Sequence, residues 1–236
     1  MSIEIAKALI DAGANILEMG IPFSDPLADG PTLQRANNRA LLAGMNTALV
    51  FETARRIQDY APVPIVLLTY YNLVLRYGIE QFYADAQASG VDGILIVDMP
   101  PEEADEIVQV ARAWGIDQIF LVAPTTSEKR IASILRYATG YLYLVSTLGV
   151  TGARSELPED ALSMLSKVHA CTDLPLAVGF GISSAEHVNT LAAAGADAII
   201  VGSALADIIE RNLLNPGNLT AEVSRYTGKL LGIQRK

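Results

Sequence analysis

One unit recurs four times along this chain: Ala12-Gly13-Ala14-Asn15 before Ile16-Leu17, Ser89-Gly90-Val91-Asp92 before Ile94-Leu95, Trp114-Gly115-Ile116-Asp117 before Ile119-Phe120, and Ala194-Gly195-Ala196-Asp197 before Ile199-Ile200. Each reads as a helix C-terminus, a glycine stop, a short polar turn and a buried strand. Short apolar strands without polar alternation belong in a parallel sheet covered on both faces. The pattern predicts strands near Asn15 to Ile21, Pro64 to Tyr70, Gly93 to Asp98, Gln118 to Ala123, Tyr141 to Ser146, Pro175 to Gly179 and Asp197 to Gly202. Helical patterns fill the intervals: Thr32 to Leu42, Thr47 to Tyr60, Ile79 to Ser89, Glu102 to Trp114, Ser127 to Tyr137, Pro158 to His169, Ser184 to Ala194 and Ala204 to Leu214, then a last helix from about Thr220 to Leu231.

Regular alternation of strand and helix makes an α/β protein, either a βα-barrel or an open doubly wound sheet. No Gly-x-Gly-x-x-Gly follows a strand, which counts against the dinucleotide fold. The chain opens inside a helix, with Ser2 as the expected N-cap and Gly13 as its stop. A barrel closes on eight strands and seven are predicted, so on the barrel reading the first strand is missing from the amino end. Residues 1–236 are then one barrel domain, incomplete at the amino end.

Half of the residues are apolar and the net charge is -9, with no basic run longer than Arg55-Arg56 or Arg235-Lys236. A packed globule is expected and a nucleic-acid footprint is missing. The single Cys171 excludes an intramolecular disulfide and a multi-cysteine metal site, and suits a reducing cytosol. The apolar runs are of strand length, short of the roughly 20 residues a spanning helix needs.

Barrel active sites form at the carboxyl ends of strands. In Ile16-Leu17-Glu18-Met19, alternation puts Glu18 on the face opposite Leu17 and Met19, toward the interior. A carboxylate there is desolvated, as in a catalytic acid/base, unless an interior cation pairs with it. No lysine or arginine falls at a neighbouring strand position. Asp25 and Asp29 follow in Ser24-Asp25-Pro26 and Asp29-Gly30-Pro31, where the spacing fits turn formation as well as a role in the site. The glycines of Val178-Gly179-Phe180-Gly181-Ile182-Ser183 and Val201-Gly202-Ser203-Ala204 end the last two strands, and two such adjacent loops favour a phosphate cradle over mere tight turns.

The five lysines, Lys7, Lys129, Lys167, Lys229 and Lys236, sit on no strand or strand carboxyl end, so Schiff-base chemistry is excluded. His169 and His187 lie on helical patterns and read as solvated, and Cys171 reads as a packing residue. Carboxylate acid/base work beside a phosphate site remains.

These residues carry a resemblance. The run from Leu17 through Glu18, Asp25 and Asp29 to Pro31 closely resembles the signature of the tryptophan synthase alpha subunit. Leu67-Leu68-Thr69-Tyr70-Tyr71-Asn72, Val97-Asp98-Met99-Pro100, Gly149-Val150-Thr151-Gly152, Gly179-Phe180-Gly181-Ile182-Ser183 and Gly202-Ser203-Ala204 match further, in order, from Ser2 to about Ile209. The resemblance implies a cytoplasmic (β/α)8 lyase that cleaves indole-3-glycerol phosphate to indole and glyceraldehyde 3-phosphate by a retro-aldol step. It matches Glu18 to the general acid/base, Asp29 to the carboxylate on the indole N–H, and Tyr143 to a tyrosine beside the acid/base. Tyr70 and Phe180 match the indole pocket, and Gly152, Gly181, Gly202 and Ser203 match the phosphate cradle. Thr151, in a mobile lid over Thr147 to Glu156, matches the residue that meets Asp29 on closure.

The resemblance also implies docking on a beta subunit as an alpha2-beta2 heterotetramer in tryptophan biosynthesis, around Asp25 to Pro31 and neighbouring loops. Pyridoxal phosphate would belong to that partner, and no cofactor or metal to this chain. Family members begin with about 30 more residues, enough for a capping helix and the first strand of the barrel. The expectation is a truncated form of a normal enzyme. Two other functions fit the residues less fully: another phosphate-binding barrel enzyme, and a non-catalytic activator of a beta subunit.

Overall fold

The computed structural model describes residues 1–145, 159–179 and 181–232. In chain order its elements are α1 (Ser2–Asp11), β1 (Leu17–Gly20), α2 (Pro31–Leu42), α3 (Thr47–Gln58), β2 (Ile65–Thr69), α4 (Tyr71–Tyr77), α5 (Ile79–Ala88) and β3 (Gly93–Ile96). A single 3-10 turn (Pro101–Glu103) leads into α6 (Asp105–Trp114), followed by β4 (Asp117–Val122), α7 (Glu128–Ile134), β5 (Leu142–Val145) and α8 (Glu159–His169). The chain continues through β6 (Leu176–Gly179), α9 (Ala185–Ala193), β7 (Ala198–Ile199), α10 (Ser203–Arg211) and α11 (Pro216–Leu230).

All seven strands pair in parallel with their sequence neighbours, in the order β1 to β7. These are the seven predicted strands of a TIM-barrel architecture. Among the described residues β1 and β7 are the two edges of the sheet, and helices span the interval between them, with α1 against α11 and α2 against α10.

Period-two alternation sorts the strand residues into two cores. Ile65, Leu67, Ile94, Ile96, Leu142 and Leu144 lie under the helices in the larger core, whereas Val66, Leu95 and Ile119 form an inner cluster with Leu68, Val97, Leu121, Tyr141 and Tyr143. Leu17 joins the outer core and Met19 packs on it, so Glu18 takes the inner face, as its position in the strand predicts. Each βα unit thus buries one strand face against its helices, and the other face is left to build an interior.

The repeated turn also has a structural use at the amino ends of the strands. Asp92 Oδ2 accepts from the Ile65 amide at 2.8 Å, and Asp197 Oδ2 accepts from the Leu176 amide at 2.8 Å. The aspartate that opens one strand therefore satisfies the first amide of the strand before it, a charge-assisted bond that fixes register locally.

Four local readings change. Helix α4 is not in the sequence pattern: it fills the segment after Tyr70 and ends at Gly78, whose φ of +92° lets the chain turn straight into α5. Ser2 is the first helical residue rather than the cap, which falls on Met1 with no side-chain bond. His187, on the first turn of α9 after the Ser184 cap, is buried at 6 % exposure, while His169 is exposed as expected. Cys171 is exposed rather than packed, one turn past Lys167, whose carbonyl accepts its thiol. Among the described residues no helix is long and apolar enough to cross a membrane.

Candidate active site

The inner face of β1 carries Glu18, and its partner comes from across the same interior. The Tyr141 hydroxyl, immediately before β5, donates to Glu18 Oε1 at 2.7 Å. Four strand intervals in a flat sheet would separate these backbones by about 19 Å, beyond the reach of the two side chains. The sheet must therefore curl until β1 and β5 face each other. The bond is a direct signature of barrel curvature, and it places the carboxyl inside.

Burial dominates the electrostatics of Glu18. Desolvation raises its pKa from 4.5 to about 7, and the Tyr141 bond, which favours the ionised form, offsets part of that rise. The partner is a phenol, and no described cation forms an ion pair with Glu18. A carboxyl divided between its two protonation states near neutrality can both donate and accept a proton. Tyr143 sits two residues further along the same inner face, and its pKa is pushed well up by burial and then by the charges of Glu18 and Asp29. A Cβ on Gly179 would stand 2.8 Å from the Tyr143 hydroxyl, so only glycine leaves room for that ring. Tyr141 is the site residue that sequence reasoning misses. Its signal is present in Tyr141-Leu142-Tyr143, where alternation puts both phenols on one face.

Asp29 sits at the end of the loop after β1, just before α2, and α2 holds it. Asn37 Nδ2 donates to Asp29 Oδ2 at 2.7 Å, and Gln34 Nε2 donates to the Asp29 carbonyl at 2.8 Å. Burial raises the Asp29 pKa, with the Asn37 bond opposing it. Tyr70, buried at the end of β2, braces the same loop: its hydroxyl accepts from the Ala28 amide at 3.2 Å and its ring stacks on Phe23 with centroids 4.9 Å apart. Desolvation, followed by the Asp29 charge, pushes its phenol up to about 12. Asp25 is exposed and accepts from its neighbour Ser24, a turn contact on the outer side of the loop.

At the opposite edge, Gly202 caps α10 and Ser203 is its first residue, with no acidic side chain in the first turn. A Cβ on Gly202 would meet nothing within 4 Å, so open space faces this backbone. Gly181, after β6, adopts a positive φ of +55°. Backbone N–H groups beside open space at a helix N-terminus are suited to an anion. Phe180, Thr151 and Gly152, with the loop Thr147 to Glu156, lie outside the described residues.

A cavity of about 410 Å³ opens at the carboxyl ends of β3 and β4, lined by Val97, Asp98, Phe120, Leu121 and Arg130 among others. It contains neither Glu18 nor Asp29, and its residues do not assemble an acid and a base. Among the described residues no group of three or more histidine, cysteine, aspartate or glutamate side chains is placed to hold a metal ion.

Comparison with known proteins agrees with this geometry. The family model for the tryptophan synthase alpha chain matches residues 1–232. The tryptophan synthase alpha chain of Methanoregula boonei is 56% identical over 225 residues, covering 95% of this chain and 85% of that protein. That of Methanothermobacter thermautotrophicus is 50% identical over 229 residues, covering 97% and 85%. Among solved structures, one from a study of mutual activation in the tryptophan synthase a2b2 complex of Pyrococcus furiosus superposes with a TM-score of 0.92 at 42% identity, covering 98% of this chain and 92% of that one. Matches of this extent, on a parallel barrel sheet, show that the chain belongs to the tryptophan synthase alpha chain family.

Proposed function

We propose that the chain cleaves indole-3-glycerol phosphate to indole and glyceraldehyde 3-phosphate, with Glu18 as general acid/base. The observation that carries this reading is the inward Glu18 carboxyl, desolvated on the inner face of a parallel sheet beside Tyr141, with its pKa raised to about 7. Glu18 delivers a proton to the indole ring carbon that bears the glycerol chain, which loads positive charge onto the ring. The resulting carboxylate takes the proton of the adjacent glycerol hydroxyl as the carbon–carbon bond breaks, leaving an aldehyde and restoring the ring electrons. The proton count closes on one carboxyl group.

Asp29, held by Asn37, accepts the indole N–H and stabilises the charge that develops there. Tyr141 and Tyr143 line the Glu18 side, and Tyr70 keeps the Asp29 loop in place. The phosphate rests on Gly202 and Ser203 at the α10 N-terminus, and Gly181 is assigned to the same cradle. Phe180, Thr151 and Gly152 would complete the ring pocket, lid and cradle. Proton transfer and charge stabilisation by these side chains need no cofactor, and pyridoxal phosphate would belong to a beta subunit.

The tryptophan synthase of Pyrococcus furiosus forms an a2b2 complex, and we carry that assembly over to this chain, with the Asp25 to Pro31 loop in the docking surface. A cytoplasmic biosynthetic role, as one barrel domain, follows from the same reading. The test is indole release from indole-3-glycerol phosphate by the full chain, with and without a beta subunit. Release that Glu18→Gln abolishes supports the reading. Beta-subunit activation with no release from the parent chain would make it a non-catalytic activator.

A further inference from the structure

Asp29 has two tasks in the proposed reaction: to stay ionised, so that it balances the charge that develops on the ring, and to offer a free oxygen to the indole N–H. Its surroundings work against the first. Burial favours the protonated form, and no described cation forms an ion pair with it. Arg35 and Arg39, the basic residues of α2, turn instead to Glu210 on α10. Among the described residues the titratable groups that face Asp29 are two phenols, Tyr70 at the end of β2 and Tyr143 on β5. Burial pushes both phenols up and the Asp29 charge adds to it, so both stay neutral where a carboxyl titrates. Glu18 acts on the same Tyr143 from β1.

What opposes burial is one face of α2. Gln34 and Asn37, three residues apart, lie on the same side of that helix. Gln34 Nε2 donates to the Asp29 carbonyl at 2.8 Å, and Asn37 Nδ2 donates to Asp29 Oδ2 at 2.7 Å. The first bond ties the backbone just ahead of the Gly30 N-cap, and the second ties the carboxyl. A donor on a carboxyl group favours the ionised form, because its bond to an anion is stronger than its bond to a neutral acid. Asn37 is the donor that acts on Asp29 in this sense. The bond also divides the two oxygens: Oδ2 is taken, and among the described residues no donor reaches Oδ1. Oδ1 is the oxygen left for a ligand N–H.

We propose that Asn37 is a positioning residue that holds Asp29 in its ionised form with Oδ1 left for the indole N–H, while Gln34 fixes the loop without setting its charge. The inference rests on the reaction proposed above. Asn37 acts through Asp29 and needs no contact with the substrate.

The test is the pH profile of kcat/KM for indole release by the full parent chain, Asn37→Leu and Gln34→Ala. Activity needs Asp29 ionised and Glu18 protonated, so the lower inflection belongs to Asp29 and the upper, near 7, to Glu18. Asn37→Leu, close in size and without a donor, should move the lower inflection up by about one pH unit and leave the upper one in place. Below that inflection kcat/KM should fall about tenfold further than it does on the plateau. Gln34→Ala should lower the plateau with both inflections unmoved. The dissociation constant of the propyl analogue of the substrate, which lacks the hydroxyls and cannot be cleaved, should show the same shift with pH. Asn37→Ala gives the same comparison if Asn37→Leu does not fold. A lower inflection that stays at the parent value in the Asn37 variant overturns the proposal, whether or not the plateau falls, because a merely structural side chain would lower activity alone. A parent chain that neither binds the analogue nor releases indole overturns the reaction itself, and this inference with it.

Discussion

Tyr141 donates its phenolic proton to Glu18 across the interior of the sheet, from a position four strands away, at 2.7 Å. One bond thus reports the curl of the sheet and moderates the proton affinity of the proposed acid/base. Burial lifts the carboxyl and the phenol holds it back, which leaves it at about 7.

Tyr141→Phe removes the donor that favours ionised Glu18, so the carboxyl pKa should rise above its present value. A difference of about 0.5–1.5 kcal/mol between the phenol's bond to the ionised and to the protonated carboxyl corresponds to about 0.4–1 pH unit. The Glu18 inflection in the pH profile of kcat/KM for indole release should move to higher pH by that amount, and no movement would mean that the phenol does not tune the carboxyl.

Glu18 also makes stability depend on pH. Unfolded, the carboxyl ionises near 4.5, and folded near 7. Between these values the folded chain keeps a proton that the unfolded chain has released, so unfolding free energy falls as pH rises, by about 3 kcal/mol in all. Glu18→Gln has no proton to lose. Urea unfolding should show it gaining on the parent from pH 5 to pH 8, and a parallel pH dependence in both chains would contradict the buried-carboxyl account.

The Asp29 loop should loosen when Tyr70 loses its hydroxyl. Tyr70→Phe keeps the ring on Phe23 and removes the acceptor for the Ala28 amide. A bond of about 1 kcal/mol predicts about a fivefold fall in kcat/KM with little change in global stability, because the loop amide can turn to water. Steady-state kinetics together with a thermal melt separate the two effects.

Tyr83 has a structural task instead. Its hydroxyl donates to Gln118 Oε1, while Gln118 Nε2 donates to the Ile94 carbonyl at 3.1 Å, a buried polar link between α5, β4 and β3. Tyr83→Phe strands the amide oxygen and should cost about 1–3 kcal/mol of unfolding free energy with kcat unaltered. Denaturant titration checks the first number and the indole assay the second.

Sequence and structure meet most closely where periodicity is local. The glycine stops and apolar runs mark all seven strands, and alternation alone turns Glu18 inward. What escapes depends on distant partners. Tyr141 faces Glu18 because the sheet curls, and no spacing within Tyr141-Leu142-Tyr143 says which phenol reaches the carboxyl. Asn37 holds Asp29 from two turns into α2, a contact set by the angle at which that helix leaves the loop. The burial of His187 is not legible either, because its place on a helix says nothing about which face of α9 is covered.

The central claim is that Glu18 moves the proton that breaks the carbon–carbon bond. It is tested most directly by single-turnover release of indole from indole-3-glycerol phosphate, with the parent chain and Glu18→Gln compared at saturating beta subunit. Loss of one general acid/base predicts a fall of at least about 10²–10⁴-fold in the rate, with binding of the uncleavable propyl analogue retained. Indole release by Glu18→Gln at the parent rate would contradict the account.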